Sequence, residues 1–307
     1  LCPKYVLVTP IKSDFKMKDD VPSQTAFFVS LCIVALKFCN QRTACPIEIL
    51  DANYVALLET GVVPIMIRLC MSNHIVAKIV VRIAFFLSGN FHRFAFGLGQ
   101  RKAYMDKSVS TAIENSKVTQ VLVVGGGYDT LAMRLAWKHP SVAFFELDHP
   151  ATGKVKDIVL TKMGKAPNMH VIRSDLTKVT LKDALLKTMG SEYDVTKKTI
   201  TVAEGLTMYL SEADNKKLFS SVAEVVGKQS LFCFDFLPTN DKGESQGMYN
   251  SKTSGTAKSL GENFLFKVKS GFLERFFEGS DWKMMEKKDN EVYRDFRYMT
   301  TAELISK

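Results

Sequence analysis

From Thr119 onward the chain alternates short β-rich runs with helical segments, which confines it to a parallel sheet with crossover helices. The strand candidates are 120–124, 142–147, 170–173, 199–203 and 230–236. Helical candidates lie between and after them at 130–138, 151–162, 181–189 and 212–227. The strands are near-continuous runs of Val, Ile, Phe and Thr, as expected when both faces of a sheet are covered. Residues 1–118 read instead as mainly helical, with apolar stretches at 25–38, 51–70 and 74–88. The fold class is therefore α/β, with helices on both faces of the sheet and an N-terminal helical cap. The domain reading is 1–118 as cap and substrate lid and 119–307 as core. A Ser-, Gly-, Lys- and Thr-rich stretch at 240–262 forms a loop or lid insertion. After it, 264–268, 271–279 and 282–287 suggest strand, helix and strand, with no obvious apolar strand beyond.

The most apolar region, 62–98, is interrupted by Arg68, His74, Lys78 and Arg82, so it never reaches the about 18 uncharged residues a spanning helix needs. His74, Lys78 and Arg82 recur every four residues and share one helical stripe, while Ile75, Val76, Ile79, Val80 and Ile83 fill the other faces. This pattern predicts a packed cap helix with a solvated basic edge. Peripheral contact with a membrane surface is the alternative.

The net charge of +9 favours anionic partners. No run of Lys and Arg interleaved with aromatics is present, and nucleic acid is not expected. Six cysteines (Cys2, Cys32, Cys39, Cys45, Cys70, Cys233) are scattered without a C-x-x-C pair or a Cys/His cluster. Neither a disulfide framework nor a metal site is expected, and a reducing cytoplasm fits. No signal peptide is legible.

The first strand runs into Gly125-Gly126-Gly127-Tyr128-Asp129-Thr130, and a helix follows. Glycines at such a turn let backbone approach a ligand, and the helix N-terminus offers free N–H groups. A turn without a ligand could use the same residues. Asp129 or Thr130 is placed to cap the helix. The spacing is not the dinucleotide form, because Thr130 stands where its third Gly would fall, which argues against NAD. The second strand ends in Phe145-Glu146-Leu147-Asp148-His149-Pro150. An acid at this point, about 20 residues beyond a Gly loop, is where a carboxylate holds a ribose diol. Asp148 is the better candidate of the two and Glu146 the other. Asp175 and Leu176 follow the third strand, where a carboxylate accepts from an adenine amine or simply caps a turn. The fourth strand ends in Ala203-Glu204-Gly205-Leu206-Thr207-Met208-Tyr209-Leu210, on the edge that lines the crevice of open α/β sheets. There Glu204 is a candidate for the cationic end of a cofactor, and Tyr209 for the substrate pocket or the core.

Taken in order, these strings resemble the leucine carboxyl methyltransferase family. Its G-x-G-x-D-T turn and R-L pair are matched by Gly125, Gly127, Asp129, Thr130, Arg134 and Leu135. Its F-E-x-D-x-P is matched by Phe145, Glu146, Asp148 and Pro150, its D-L pair by Asp175 and Leu176, and its A-E-G-L-x-x-Y-L by residues 203–210. Ser23, Thr25 and Ala26 fit its S-x-T-A start, and Arg101 with Asp106 fits the segment before the first strand. The resemblance covers about residues 22–290.

It implies a Rossmann-like class I methyltransferase sheet that binds S-adenosylmethionine. By the same resemblance, Arg101 holds the methionine carboxylate, Gly125, Gly126 and Gly127 approach the methionine part, and Asp129 belongs to the loop. Asp148 takes the ribose, Asp175 with Leu176 takes the adenine, and Glu204 takes the amino group. The expected activity is O-methylation of a small-molecule carboxylate or hydroxyl, with Tyr209 at the reacting centre. Methylation of a protein C-terminal carboxylate, or cofactor binding without catalysis, are the alternatives. A carboxylate acceptor is ionised already at neutral pH, whereas an alcohol or phenol needs a base, for which His149, His170 and Tyr209 are available. Arg101, Lys102 and Arg134 could favour an acidic acceptor. The chain departs from the family at Leu131, where Arg is usual. It also has Glu48 rather than a cofactor-contacting Lys near Asp51-Ala52.

Overall fold

The computed structural model describes residues 21–39, 44–87, 91–239, 264–269, 272–285 and 299–305. The expected loop at 240–262 lies outside the described residues. Five helices come first: α1 (Gln24–Phe38), α2 (Ile47–Glu59), α3 (Ile65–Ser72), α4 (His74–Leu87) and α5 (Phe91–Ser116). The single apolar stretch expected at 51–70 is two helices, because Gly61 adopts φ +75° and Pro64 then starts α3. Strands and helices alternate from there: β1 (Gln120–Val124), α6 (Leu131–Lys138), β2 (Ala143–Asp148), α7 (Pro150–Met163), β3 (Met169–Arg173), α8 (Leu181–Met189), β4 (Thr199–Ala203), α9 (Glu212–Val225) and β5 (Leu231–Asp235). The described remainder holds β6 (Leu237–Thr239), β7 (Lys267–Lys269), α10 (Phe272–Phe277), β8 (Trp282–Met284) and β9 (Met299–Leu304).

Among the described residues the main sheet has seven strands in the order β3-β2-β1-β4-β5-β9-β8. The first five are mutually parallel, and β9 enters antiparallel between β5 and β8. This is the mostly parallel, Rossmann-like sheet expected from the sequence. Its strand order reverses direction between β1 and β4, which opens a crevice at their carboxyl ends.

The strand of the main sheet that the sequence did not announce is β9, Met-Thr-Thr-Ala-Glu-Leu. Only alternate residues of it, Thr300, Ala302 and Leu304, are buried, so it never reads as an apolar run. It is recognised instead through its pairing, with Ala302 opposite both Phe232 and Met284. Strand β7 likewise begins later than the expected 264–268 and pairs with β6 in a separate two-stranded sheet.

The two sides of the sheet follow the period of two in a strand. Leu122, Val124, Phe145, Leu147, Phe232 and Phe234 join one core, with α8 and α9 against it. Val121, Val123, Phe144, Ile200, Val202 and Cys233 join the other, with residues of α5, α6 and α7. On the first side Phe219 stands edge-on to Phe234, Phe276, Phe277 and Trp282. The Trp282 indole N–H donates to the Phe219 carbonyl at 2.9 Å.

In the N-terminal region α1 packs on α2, α4 and α5, and Ser23 caps it by accepting from the Ala26 N–H at 3.0 Å. Helix α5 lies directly against β4 and β5. The expectation of a packed α4 is overturned: only Ala77 and Phe85 are buried, and Ile75, Ile79 and Ile83 are 70%, 53% and 52% exposed. The basic edge is solvated, as expected, but so is most of the apolar surface.

The aromatic cluster predicts a stability effect. Replacing Trp282 by Ala should cost about 3–5 kcal/mol, by emptying a site that is 2% exposed and removing the indole bond to the Phe219 carbonyl. Urea denaturation of the two proteins checks it, and an unchanged midpoint would show that β8 and β9 are not part of the cooperative core.

Candidate functional site

The carboxyl ends of β1, β2, β4 and β5 converge on one cluster of charges. Gly125 and Gly127 have φ +73° and +55°, so the chain leaving β1 turns through a conformation that favours Gly. Between them Gly126 lies on the Glu146 carboxylate, and an added Cβ would come within 2.5 Å of its Oε1. The Gly127 N–H donates to Asp148 Oδ2, and the His149 N–H donates to Oδ1 of the same carboxylate at 2.6 Å. Asp148 at the end of β2 therefore clamps the glycine loop in place.

The two candidate ribose acids now differ in environment. Glu146 is buried and paired with Lys156 at 2.8 Å, and burial pushes its carboxyl up despite that cation. Asp148 is half-buried at the strand end. It too is pushed up by burial, against the pull of the two backbone N–H groups and Lys156. Asp148 is thus the acid presented at the edge, while Glu146 braces the loop from beneath.

Helix α5 supplies the cations. Arg101 donates from Nε to Glu204 Oε1 at 2.9 Å and from Nη1 to Asp235 Oδ2 at 3.0 Å. Lys102, next along the helix, lies 2.9 Å from Asp129 Oδ1 and 3.0 Å from Glu204 Oε1. Burial works to lower the Lys102 ammonium, but Asp129 and Glu204 outweigh it and the net shift is upward. Burial likewise works to raise the Asp129 carboxyl, yet Lys102 and Arg134 hold it down to about 2. Asp235 accepts the Gly205 N–H at 2.6 Å, and burial pushes its carboxyl up against Arg101.

Three carboxylate oxygens of this cluster are buried without a hydrogen bond among the described residues: Asp106 Oδ2 and Glu146 Oε1, which face Arg134 at 2.6 Å and Lys156 at 2.8 Å, and Glu204 Oε2, which no ion pair reaches. A buried, unsatisfied carboxylate oxygen costs free energy, so it marks a place where a donor from outside the chain would bind. Beside it Gly205, at φ +66°, approaches the Arg101 guanidinium so closely that a Cβ would stand 3.2 Å from Nη2. Counting the Arg134–Asp106 and Lys156–Glu146 pairs, five carboxylates face four cations. The cluster is one negative charge in excess.

Of the remaining sequence candidates, Asp175 lies at the end of β3 in a turn, its Oδ1 accepting from the Thr177 N–H at 3.0 Å and hydroxyl at 2.7 Å. Burial raises its carboxyl, but these bonds and Lys178 lower it overall. His149 Nε2 stands 3.9 Å from Asp175, and Leu176 packs at the rim of the core. Tyr209 sits on a turn at Thr207–Tyr209, its ring 5.4 Å from that of Phe264. His170 is elsewhere: it stacks on Phe145 in mid-strand and faces Glu192 at 3.2 Å.

One expectation changes in detail. Thr130 is the N-cap residue of α6 but makes no side-chain cap bond. Its hydroxyl accepts from Asn53 and Arg134 instead, while Asp129 takes the Thr130 N–H. Lys102 and Arg134 both pair with acids of this chain, the latter with Asp106 at 2.6 Å, while Arg134 Nη1 is buried without a hydrogen bond among the described residues. Glu48 pairs with Lys138 at an exposed position.

The sequence reading missed Asp235 and Asn215. Asp235 ends β5 as Asp148 ends β2, and the rule that crevices lie at strand carboxyl ends would have found it. Asn215 Nδ2 donates to the carbonyls of Thr207, Leu210 and Ser211, which fixes the turn carrying Tyr209. Nothing in the sequence separates that Asn from an ordinary helix residue.

The ion network makes its own prediction. Lys102→Met should destabilise the chain by roughly 3–5 kcal/mol at neutral pH, since it leaves buried carboxylates uncompensated. Asp129 has a depressed folded pKa, so its contribution in the parent is complete above the ordinary value near 3.8 and is lost as pH falls toward about 2. The penalty of Lys102→Met should therefore shrink in acid. Urea titrations of both proteins at neutral and acidic pH measure it; a pH-independent difference would refute the coupling.

Comparison with known proteins places the chain near methyltransferases. Residues 74–223 match the family model described as leucine carboxyl methyltransferase. A protein of Mycobacteroides abscessus named "putative S-adenosyl-L-methionine-dependent methyltransferase" is 33% identical over 153 residues, 49% of this chain and 47% of its own length. Another of the same name, from Mycobacterium sp. (strain KMS), is 30% identical over 139 residues, 45% of this chain and 44% of its own. The chain thus spans about half the length of these relatives. Among solved structures, a duf574 family protein from Streptomyces avermitilis shares the fold, with a TM-score of 0.54 and 12% identity over 75% of this chain and 90% of that one.

Proposed function

We propose, from the match of residues 74–223 to the leucine carboxyl methyltransferase family model, that the chain belongs to that family, binds S-adenosylmethionine and transfers its methyl group to oxygen on a small organic acceptor. The observation that carries the reading is Glu204 Oε2, a buried acceptor without a donor beside the glycine loop. The cofactor's ammonium is a donor of the right kind for it. The cofactor also carries a net positive charge, and the cluster has one carboxylate in excess.

The residues present suit that ligand along its length. Arg101, whose guanidinium lies against Gly205, is assigned to the methionine carboxylate. Gly125, Gly126 and Gly127 would run along the methionine part, Asp148 would take the ribose hydroxyls, and Asp175 with Leu176 the adenine. When bound, the cofactor supplies a methyl group already activated by its sulfonium, for in-line displacement. The chain's part is to bind, orient and exclude water. Tyr209, held by the turn that Asn215 fixes, is assigned to orient the acceptor. The N-terminal residues 1–118 are assigned as lid over the core at 119–307.

Family membership favours oxygen as the accepting atom. The absence of the family's cofactor-contacting Lys near Glu48 speaks against the enzymes specialised for protein tails. Acceptor selection then rests on shape and on apolar groups such as the Tyr209 and Phe264 rings.

Calorimetry tests the first step. The purified chain should bind S-adenosylmethionine and S-adenosylhomocysteine and not NAD; no heat with either adenosyl ligand on folded protein would end the proposal. Asp148→Asn should weaken binding about tenfold to a hundredfold, the worth of a charge-assisted hydrogen bond. Unchanged affinity would remove Asp148 from the ribose.

The acceptor has a separate test, in which small carboxylic acids and phenols are offered with methyl-labelled cofactor. Label in a small product is expected. Label confined to a macromolecular fraction would replace the small acceptor by a protein carboxylate.

A further inference from the structure

The apolar side of the α3–α4 hairpin faces outward. Helix α4 packs inward through Ala77 and Phe85, and at 3.6 residues per turn Ile75, Ile79, Ile83 and Phe86 fall on the far side. Phe86 is 86% exposed and Ile75 70%. Helix α3 extends the surface with Ile65, Met66 and Leu69, all more than half exposed. Exposed apolar residues are ordinary when scattered singly; seven on two consecutive helices form a patch that marks an interaction face.

The charges beside that patch are of one sign. Lys78 and Arg82 lie on the edge of α4 between the buried and exposed arcs, with His74 in the same stripe, and Arg68 is on α3. No Asp or Glu occurs between Glu59 and Asp106. Among the described residues none of these cations pairs with an acid, although the same chain satisfies Arg101, Lys102 and Arg134 with carboxylates. The helices meet at 115°. Their eight and fourteen residues rise about 12 and about 21 Å, each short of the about 30 Å of a hydrocarbon core. Neither helix alone is long enough to cross a bilayer, and the 115° bend between them suits the pair to lying on one.

We propose that the α3–α4 hairpin docks the chain on a bilayer surface bearing anionic headgroups. Ile65, Met66, Leu69, Ile75, Ile79 and Phe86 seat at the acyl boundary, and Arg68, Lys78 and Arg82 lie among the headgroup anions. A second copy of the chain fits this face less well. A two-fold interface would set the basic edges of both copies together, with no carboxylate in the hairpin to neutralise them. The inference does not rest on the cofactor reading, since these residues take no part in the site at the strand ends.

Vesicle flotation tests it. The purified chain should float with phosphatidylcholine vesicles containing phosphatidylserine, float weakly with phosphatidylcholine alone, and be released by salt. The double variant Lys78→Gln/Arg82→Gln should lower partitioning roughly 30-fold, at the usual electrostatic worth of a basic residue near an anionic surface. The variant Ile79→Gln/Phe86→Gln should lower it as well. Arg82, Ile79 and Phe86 are exposed and Lys78 is half-buried, and an unchanged circular dichroism melt shows that both variants fold. Parent protein that stays with the aqueous phase in the presence of phosphatidylserine vesicles would overturn the proposal. So would a solution dimer that Ile79→Gln/Phe86→Gln converts to monomer, because the face would then belong to a second copy.

Discussion

The buried ion network around Arg101 and Lys102 ties the molecule together. These adjacent residues of α5 reach Glu204 at the end of β4, Asp235 at the end of β5 and Asp129 in the turn after β1. A helix preceding the sheet in sequence is thereby fastened to three of its carboxyl ends. Buried charges are costly unless fully paired, so the arrangement tolerates little displacement of any member. The glycine loop is held from the other side by Asp148 and from beneath by Glu146. The crevice at the switch between β1 and β4 is thus built from rigid parts before any ligand arrives.

The same network leaves the two oxygens of one carboxylate unlike. Glu204 Oε1 is shared by Arg101 and Lys102, which orients the group, while Oε2 has no hydrogen bond among the described residues. Asp235 gives Arg101 a second anchor and holds the Gly205 N–H. The guanidinium is therefore positioned by acids of this chain, and it lies close against Gly205.

The periphery obeys a different economy of contacts. The α3–α4 hairpin packs through a narrow inner strip and leaves its broad apolar side in solvent, in contrast to the sheet, whose strands are covered on both faces. An exposed face of that size is disfavoured in water by the hydrophobic effect. Its basic flank and lack of acids set the chemistry of what can cover it.

The alternation of β-rich runs and helices, local in the chain, determined the α/β class and five of the parallel strands, because a strand covered on both faces is apolar without interruption. The glycine turn and the acids ending β2 and β4 were legible for a similar reason: turn geometry and strand ends restrict residue type locally. Only tertiary structure decided which acid would do what. Glu146 and Asp148 are two residues apart in one strand, yet Lys156, from α7, pairs with the first while the N–H groups of Gly127 and His149 hold the second. Strand β9 was invisible because Thr300 and Ala302 carry little hydrophobic signal, and their burial comes from pairing between β5 and β8. The outward turn of α4 was hidden for the converse reason. Hydrophobic periodicity identifies a helix, but where both its faces are apolar only the packing of its neighbours decides which is buried.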